Sequence, residues 1–256
     1  MPNINLESIH NVIVDTGNIL YINDIMKKPN QNTSEELVDA INFTMKECLG
    51  YTSMNSQSDK SVVISRHNSN LKISEYELAD LKIGFKIFLN TDNQTLLSEA
   101  IGKALTLLKV DAINDAIVTL KQKSSEDEKD DLQKIKSMWK VLEDLVEVGK
   151  IKQIGVADVE ERTFKALHEW AKVKPSIIQV NLATCCIVPP TLQAFCKEND
   201  IKLLTHSDAA DMLPAESIQN LFGKPLLLQW ALRFSIHVKC RGVLTTKGYL
   251  LNFIKQ

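Results

Sequence analysis

The sequence predicts an α/β fold of the (β/α)8 barrel class with an N-terminal hairpin, formed by a single domain over residues 1–256. Three observations predict it. Short apolar runs that read as strands alternate with amphipathic helical segments along almost the whole chain. Most of these runs are apolar on both faces, as in a parallel sheet covered by helices. About eight strand–helix pairs fit the length, which suits a barrel. No Gly-rich phosphate loop follows any strand, which weakens the alternative of a doubly wound open sheet.

The elements follow in order. In "NVIVDTGNILYI" two apolar runs flank Asp15-Thr16-Gly17-Asn18, a hairpin signal, and "NILYI" is the first barrel strand. "TSEELVDAINFTMKECL" puts Leu37, Ala40, Ile41, Thr44 and Cys48 on one helical face, with Thr33 and Glu36 as a capping box. The polar stretch "TSMNSQSDKS" leads into the strand "VVIS". "KIGFKIFL" is a strand, and Asp92-Asn93 caps the helix "LLSEAIGKALTLL". "DAIVTL" is followed by a long helix with Leu132, Ile135, Trp139, Leu142 and Val146 inward and Gly149 at its end. "IKQIGVA" is a strand, and Asp158 with Glu161 caps "TFKALHEWA". After the strand "SIIQVNLA", Pro190 opens the helix "TLQAFCKEN". "IKLLTH" is a strand, "LLLQWALRF" a helix, "SIHVKC" a strand and "TKGYLLNFI" a closing helix.

Composition excludes several function classes. Apolar residues make up 44% and charged residues 24%, as in ordinary globular proteins. A net charge of −2 gives no broad attraction to nucleic acid or anionic lipid. No apolar run is long enough to span a bilayer. "MPNINLESIHNVIV" has no basic segment followed by an apolar core, so no signal peptide is expected. Five cysteines in such a chain read as reduced thiols of a cytoplasmic protein. The acidic run "SSEDEKDD" reads as a solvated loop.

The stretch "GKIKQIGVADV…KPSIIQVNLATCCIVPPTLQAFCKENDIKLLTHSD" resembles the fifth to seventh strands of aldo-keto reductases. That resemblance implies an NADPH-binding barrel in which a Tyr acid, lowered by an Asp-paired Lys, protonates a carbonyl oriented by a His. Lys86 fills the Lys position. Ser65 and Asn70 stand where the Asp and Tyr belong, Tyr76 is out of register, and Leu120 stands where the His belongs. Gln179 matches the ligand of the nicotinamide amide. His206-Ser207 replaces Tyr-Ser, Ala157-Asp158 replaces Ser-Asn, and Lys239 lies near the 2′-phosphate Lys. Lys86 therefore reads as a vestigial, solvated residue with no catalytic role. No cofactor is expected, and Gln179, His206, Ser207 and Lys239 are candidates for a relic nucleotide pocket. No CxxC or His completes a metal site around Cys185-Cys186, so no metal is expected.

A narrower resemblance is carried by "TGNILYI", "SEELVDAI", "NLATCC" with its double Pro, "DIKLLTH", "RGVLTTKGY" and the Trp170–Pro175 junction. These are similar to the family of modifier (regulatory) subunits of glutamate–cysteine ligase, aldo-keto reductase-like proteins of glutathione biosynthesis without reductase chemistry. The resemblance implies a heterodimer with the ligase's catalytic subunit, a higher glutamate affinity in that subunit and weaker feedback inhibition by glutathione. The loops on the barrel's C-terminal face can vary without unfolding the core, so that face is the expected contact surface, with Asp158, Cys185, Cys186 and His206 as partner-interface candidates. An active NADPH-dependent reductase with a displaced acid, and an NADPH-binding sensor, are the competing readings. No nucleic-acid or membrane partner is expected.

Overall fold

A computed structural model describes residues 9–22, 25, 28, 31–48, 61–66, 71, 73–121, 128–183 and 187–255. Asn70, Cys185 and Cys186 lie outside these described residues. The chain divides into two compact units, residues 1–82 with 211–256 and residues 83–210. The whole is α/β, as the sequence predicts.

The second unit keeps the expected alternation. Its strands are β3 (Leu81–Leu89), β4 (Ile113–Leu120), β5 (Ile151–Ala157), β6 (Ile177–Asn181) and β7 (Lys202–His206). They pair in that order and all run parallel. Between them lie α2 (Gln94–Leu108), α3 (Glu128–Glu147), α4 (Glu161–Trp170) and α5 (Pro190–Glu198). Asn93 caps α2 by accepting from the Thr95 N–H at 2.9 Å. Gly149, at φ +76°, closes α3 in the left-handed conformation that an L side chain resists. Pro190 opens α5. Trp139 of α3 is fully buried and donates its indole N–H to the Val173 carbonyl at 2.9 Å. Gly155 of β5 is dictated by close approach, since a Cβ there would stand 2.4 Å from the Ile177 carbonyl oxygen of β6.

The first unit departs from expectation. Its strands are β1 (Asn11–Asp15), β2 (Ser61–Ser65), β8 (Leu226–Val238) and β9 (Val243–Lys255), in the order β2-β1-β9-β8. Its helices are α1 (Thr33–Cys48) and α6 (Ala215–Phe222). The expected N-terminal hairpin does not form. Both edges of β1 are taken, by β2 in parallel and by β9 antiparallel. Past Gly17 the chain turns at Asn18, whose side chain accepts from the Leu20 N–H and winds Ile19–Tyr21 into a 3-10 turn.

The last two expected helices are strands. From Leu226 to Val238 every second residue is buried, a period-two pattern over thirteen residues that a helix cannot satisfy. β9 pairs with it antiparallel across a turn closed by Gly242, at φ +62°. The ninefold "LLLQWALRF" looks helical only when cut from "SIHV", which continues the same alternation.

Two capping boxes also shift. Asn32, not Thr33, caps α1: its Oδ1 accepts from the Glu35 N–H and its N–H donates to Glu35 Oε2. The N-cap position of α4 is Glu160, not Asp158, and Glu160 makes no side-chain cap hydrogen bond. The buried face of α1, Leu37, Ala40, Ile41, Thr44 and Cys48, is the one read from periodicity.

Candidate functional site at the strand ends of the second unit

The parallel strands of the second unit bring their C-terminal ends together, and a connected polar cluster forms there. Lys86, in β3, is 4% exposed. Its Nζ donates to Asp208 Oδ2 at 2.7 Å. Asp208 lies two residues beyond β7 and is 3% exposed. The same Oδ2 stands 3.1 Å from Nδ1 of His206, the last residue of β7. Nε2 of that ring stands 2.8 Å from Asp158 Oδ1. The other oxygen of Asp158 accepts from the Thr119 hydroxyl of β4 at 3.2 Å. Asn181, at the end of β6, donates to the Asp208 carbonyl at 2.9 Å. Its Oδ1 accepts from the Ala183 N–H, which fixes the turn that follows.

The electrostatics follow from this geometry. Lys86 lies against the Asp208 carboxylate, and the His206 ring bridges the carboxylates of Asp158 and Asp208 while its Nδ1 also accepts the Asp208 N–H at 3.2 Å. Burial is the largest single influence on His206 and pulls its pKa down. The hydrogen bonds to Asp158 and Asp208 together outweigh burial, with Lys86 opposing them, and the pKa ends above the ordinary imidazole value. Asp158 adopts φ +59°, in the left-handed region. That conformation costs free energy for a residue with a Cβ, and the ties to Thr119 and His206 hold it.

The sequence-predicted residues fall into three groups. Lys86, Asp158 and His206 come together in the cluster. Gln179, in β6, places its Oε1 in the interior without a hydrogen-bond partner, and Ser207 is exposed beside His206. Lys239 belongs to the first unit, where its Nζ and N–H donate to the carbonyls of Ala79 and Asp80. Lys86 is not the solvated residue expected, because a carboxylate invisible to the family pattern buries with it. Asp208, Thr119 and Asn181 are the cluster residues that sequence reasoning misses. The one available signal is the polar triplet His206-Ser207-Asp208 directly after an apolar strand. Tyr76 is exposed, and its N–H donates to the Ile73 carbonyl after a short 3-10 turn.

A dinucleotide does not fit this set well. Lys86 and His206 spend their donors on internal carboxylates, and Asp158 and Asp208 would face a polyanion. Among the described residues no group of three or more His, Cys, Asp or Glu side chains could hold a metal ion. No helix among them is long and apolar enough to cross a membrane.

The comparisons with known proteins begin with the fold. Residues 91–215, which span β4 to β7, match the model of the aldo/keto reductase family. Solved aldo/keto reductases resemble the chain loosely. One from Brucella melitensis is 18% identical, covers 76% of this chain and 73% of its own, and superposes with a TM-score of 0.46. The sequence relatives are more specific. The glutamate–cysteine ligase regulatory subunits of Homo sapiens and Mus musculus are each 32% identical over 249 residues, covering 93% of this chain and 90% of theirs. The chain belongs to the family of glutamate–cysteine ligase regulatory subunits. A putative regulatory subunit from Schizosaccharomyces pombe is 29% identical over 44% of the chain.

Proposed function

We propose that this chain is the non-catalytic regulatory subunit of a cytoplasmic glutamate–cysteine ligase. It forms a 1:1 heterodimer with the catalytic subunit, raises that subunit's glutamate affinity and relieves glutathione feedback. The observation that carries the reading is identity at 32% across nearly the full length of mammalian regulatory subunits. The sequence supports it too: Ser65 and Leu120 stand where the reductase pattern has its Asp and His. The contact face is proposed at the strand ends near Asp158 and His206, with Cys185 and Cys186 in the segment after β6.

The mechanism is a population shift. The chain binds better to a catalytic-subunit state with higher glutamate affinity. A tenfold effect needs only about 1.4 kcal/mol of coupling. By reciprocity, saturating glutamate tightens the heterodimer by the same factor. The test is heterodimer dissociation measured under reducing conditions with and without glutamate. Tightening by glutamate supports the reading; no complex in either condition ends it.

The match to aldo/keto reductases over residues 91–215 favours one second reading, an active reductase. That reading requires steady NADPH oxidation with a panel of aldehydes. The expected outcome is none above background, since loss of the acid alone removes on the order of 10²–10⁴ in rate.

A further inference from the structure

We propose that the second unit carries a binding pocket for a small zwitterion with a compact apolar body, an α-amino acid of about the size of valine. The pocket lies between the C-terminal ends of β4 and β5 and the first turns of α3. It does not rest on the regulatory reading, which needs a protein surface and no small-molecule site.

Three observations set the class of ligand. The first is size. The pocket holds about 120 Å³, room for about four waters. That volume suits a small amino acid and is far below what a nucleotide fills. The second is the floor, made of Val118, Val156, Ile135 and Met138. All four are buried, and they offer an apolar guest contact on several sides. The third is the rim, which carries charge of both signs: Asp92, Asp131 and Asp158 against Lys121 and Lys134. A single-charge guest uses only one set of these groups and leaves the other unanswered, whereas a zwitterion can set its ammonium against a carboxylate and its carboxylate against an ammonium. Asp158 is the one residue shared with the buried cluster. Its side chain is 31% exposed where that of His206 is 6% exposed, so the edge of the cluster reaches the rim of the pocket.

The test is calorimetry on the chain alone with three probes: L-valine, isobutylamine and isovalerate. L-valine is expected to bind at least about tenfold more tightly than either single-charge analogue. Lys134→Ala should erase its advantage over isobutylamine, and Asp131→Ala its advantage over isovalerate. Met138→Trp fills the floor and should abolish binding of all three. Two results overturn the proposal: no saturable heat with L-valine up to about 10 mM, or equal binding of all three probes. If Met138→Trp does not fold, the two rim variants decide: unchanged L-valine affinity in both overturns the proposal as well.

Discussion

The two units each bury a polar cluster at strand ends, and they solve the problem in different ways. In the second unit Lys86 pairs with Asp208, and His206 lies between Asp208 and Asp158. In the first unit the carboxyl of Asp15 is 5% exposed and accepts from the Gly17 N–H. Burial pushes its pKa up to about 6, against the pull of that hydrogen bond and of Arg66. Nearby Tyr249 donates its hydroxyl to Glu36, which also pairs with Lys247, and burial pushes the phenol pKa upward. A buried charge is tolerable when paired, and an unpaired carboxyl instead drifts toward its neutral form.

The largest way to break this contrast is to unpair the second unit. Lys86→Met leaves Asp208 buried without its cation and should cost about 3–5 kcal/mol of stability. Lys86→Met combined with Asp208→Leu should recover most of that loss, because the uncompensated charge is gone. Urea unfolding of the three proteins checks both. If Lys86→Met alone costs no more than a surface change, the pair is not the buried anchor described here.

In the first unit the opposite outcome is expected. Asp15 has a folded pKa above its unfolded value of 3.8, so its ionisation disfavours the fold. The penalty is absent below the unfolded pKa, grows as pH rises through the interval to about 6, and is complete above it. Asp15→Asn should therefore stabilise the chain above pH 6 by up to about 3 kcal/mol, since one pKa unit is worth 1.36 kcal/mol. The same variant should gain little near pH 4. Thermal melts at the two pH values give the difference directly.

The smallest expected effect sharpens the comparison through His206. Its pKa is raised on folding, so its charge contributes stability that is full below the unfolded value of 6.5 and fades as pH rises through the folded pKa. His206→Gln should flatten the stability profile in that window and leave the Asp15 transition untouched. A profile that keeps its decline above pH 6.5 in the variant would assign the decline to another group.

Legibility in the sequence divides along the same line. The parallel unit was readable because each strand and helix is a short local signal: Asn93, Gly149 and Pro190 mark helix ends where the structure has them. The first unit was misread because its partners are remote. β1 is held by β9, more than two hundred positions away, and nothing local in "NVIVD" reveals that. The alternation of β8 is masked by Trp230, Ala231 and Leu232, all fully buried, whose unbroken apolar run imitates a helical face. In the cluster, Lys86, Asp158 and His206 answer to the motif. Asp208 does not, because its importance is a contact across 122 positions.

The central claim is that the chain acts on a partner enzyme and performs no chemistry of its own. The most direct measurement is the glutamate dependence of ligation by the glutamate–cysteine ligase catalytic subunit, with and without an equimolar amount of this chain under reducing conditions. The account predicts a lower glutamate KM and weaker inhibition by glutathione in the mixture, with no NADPH required. Superimposable kinetics with and without the chain would contradict it.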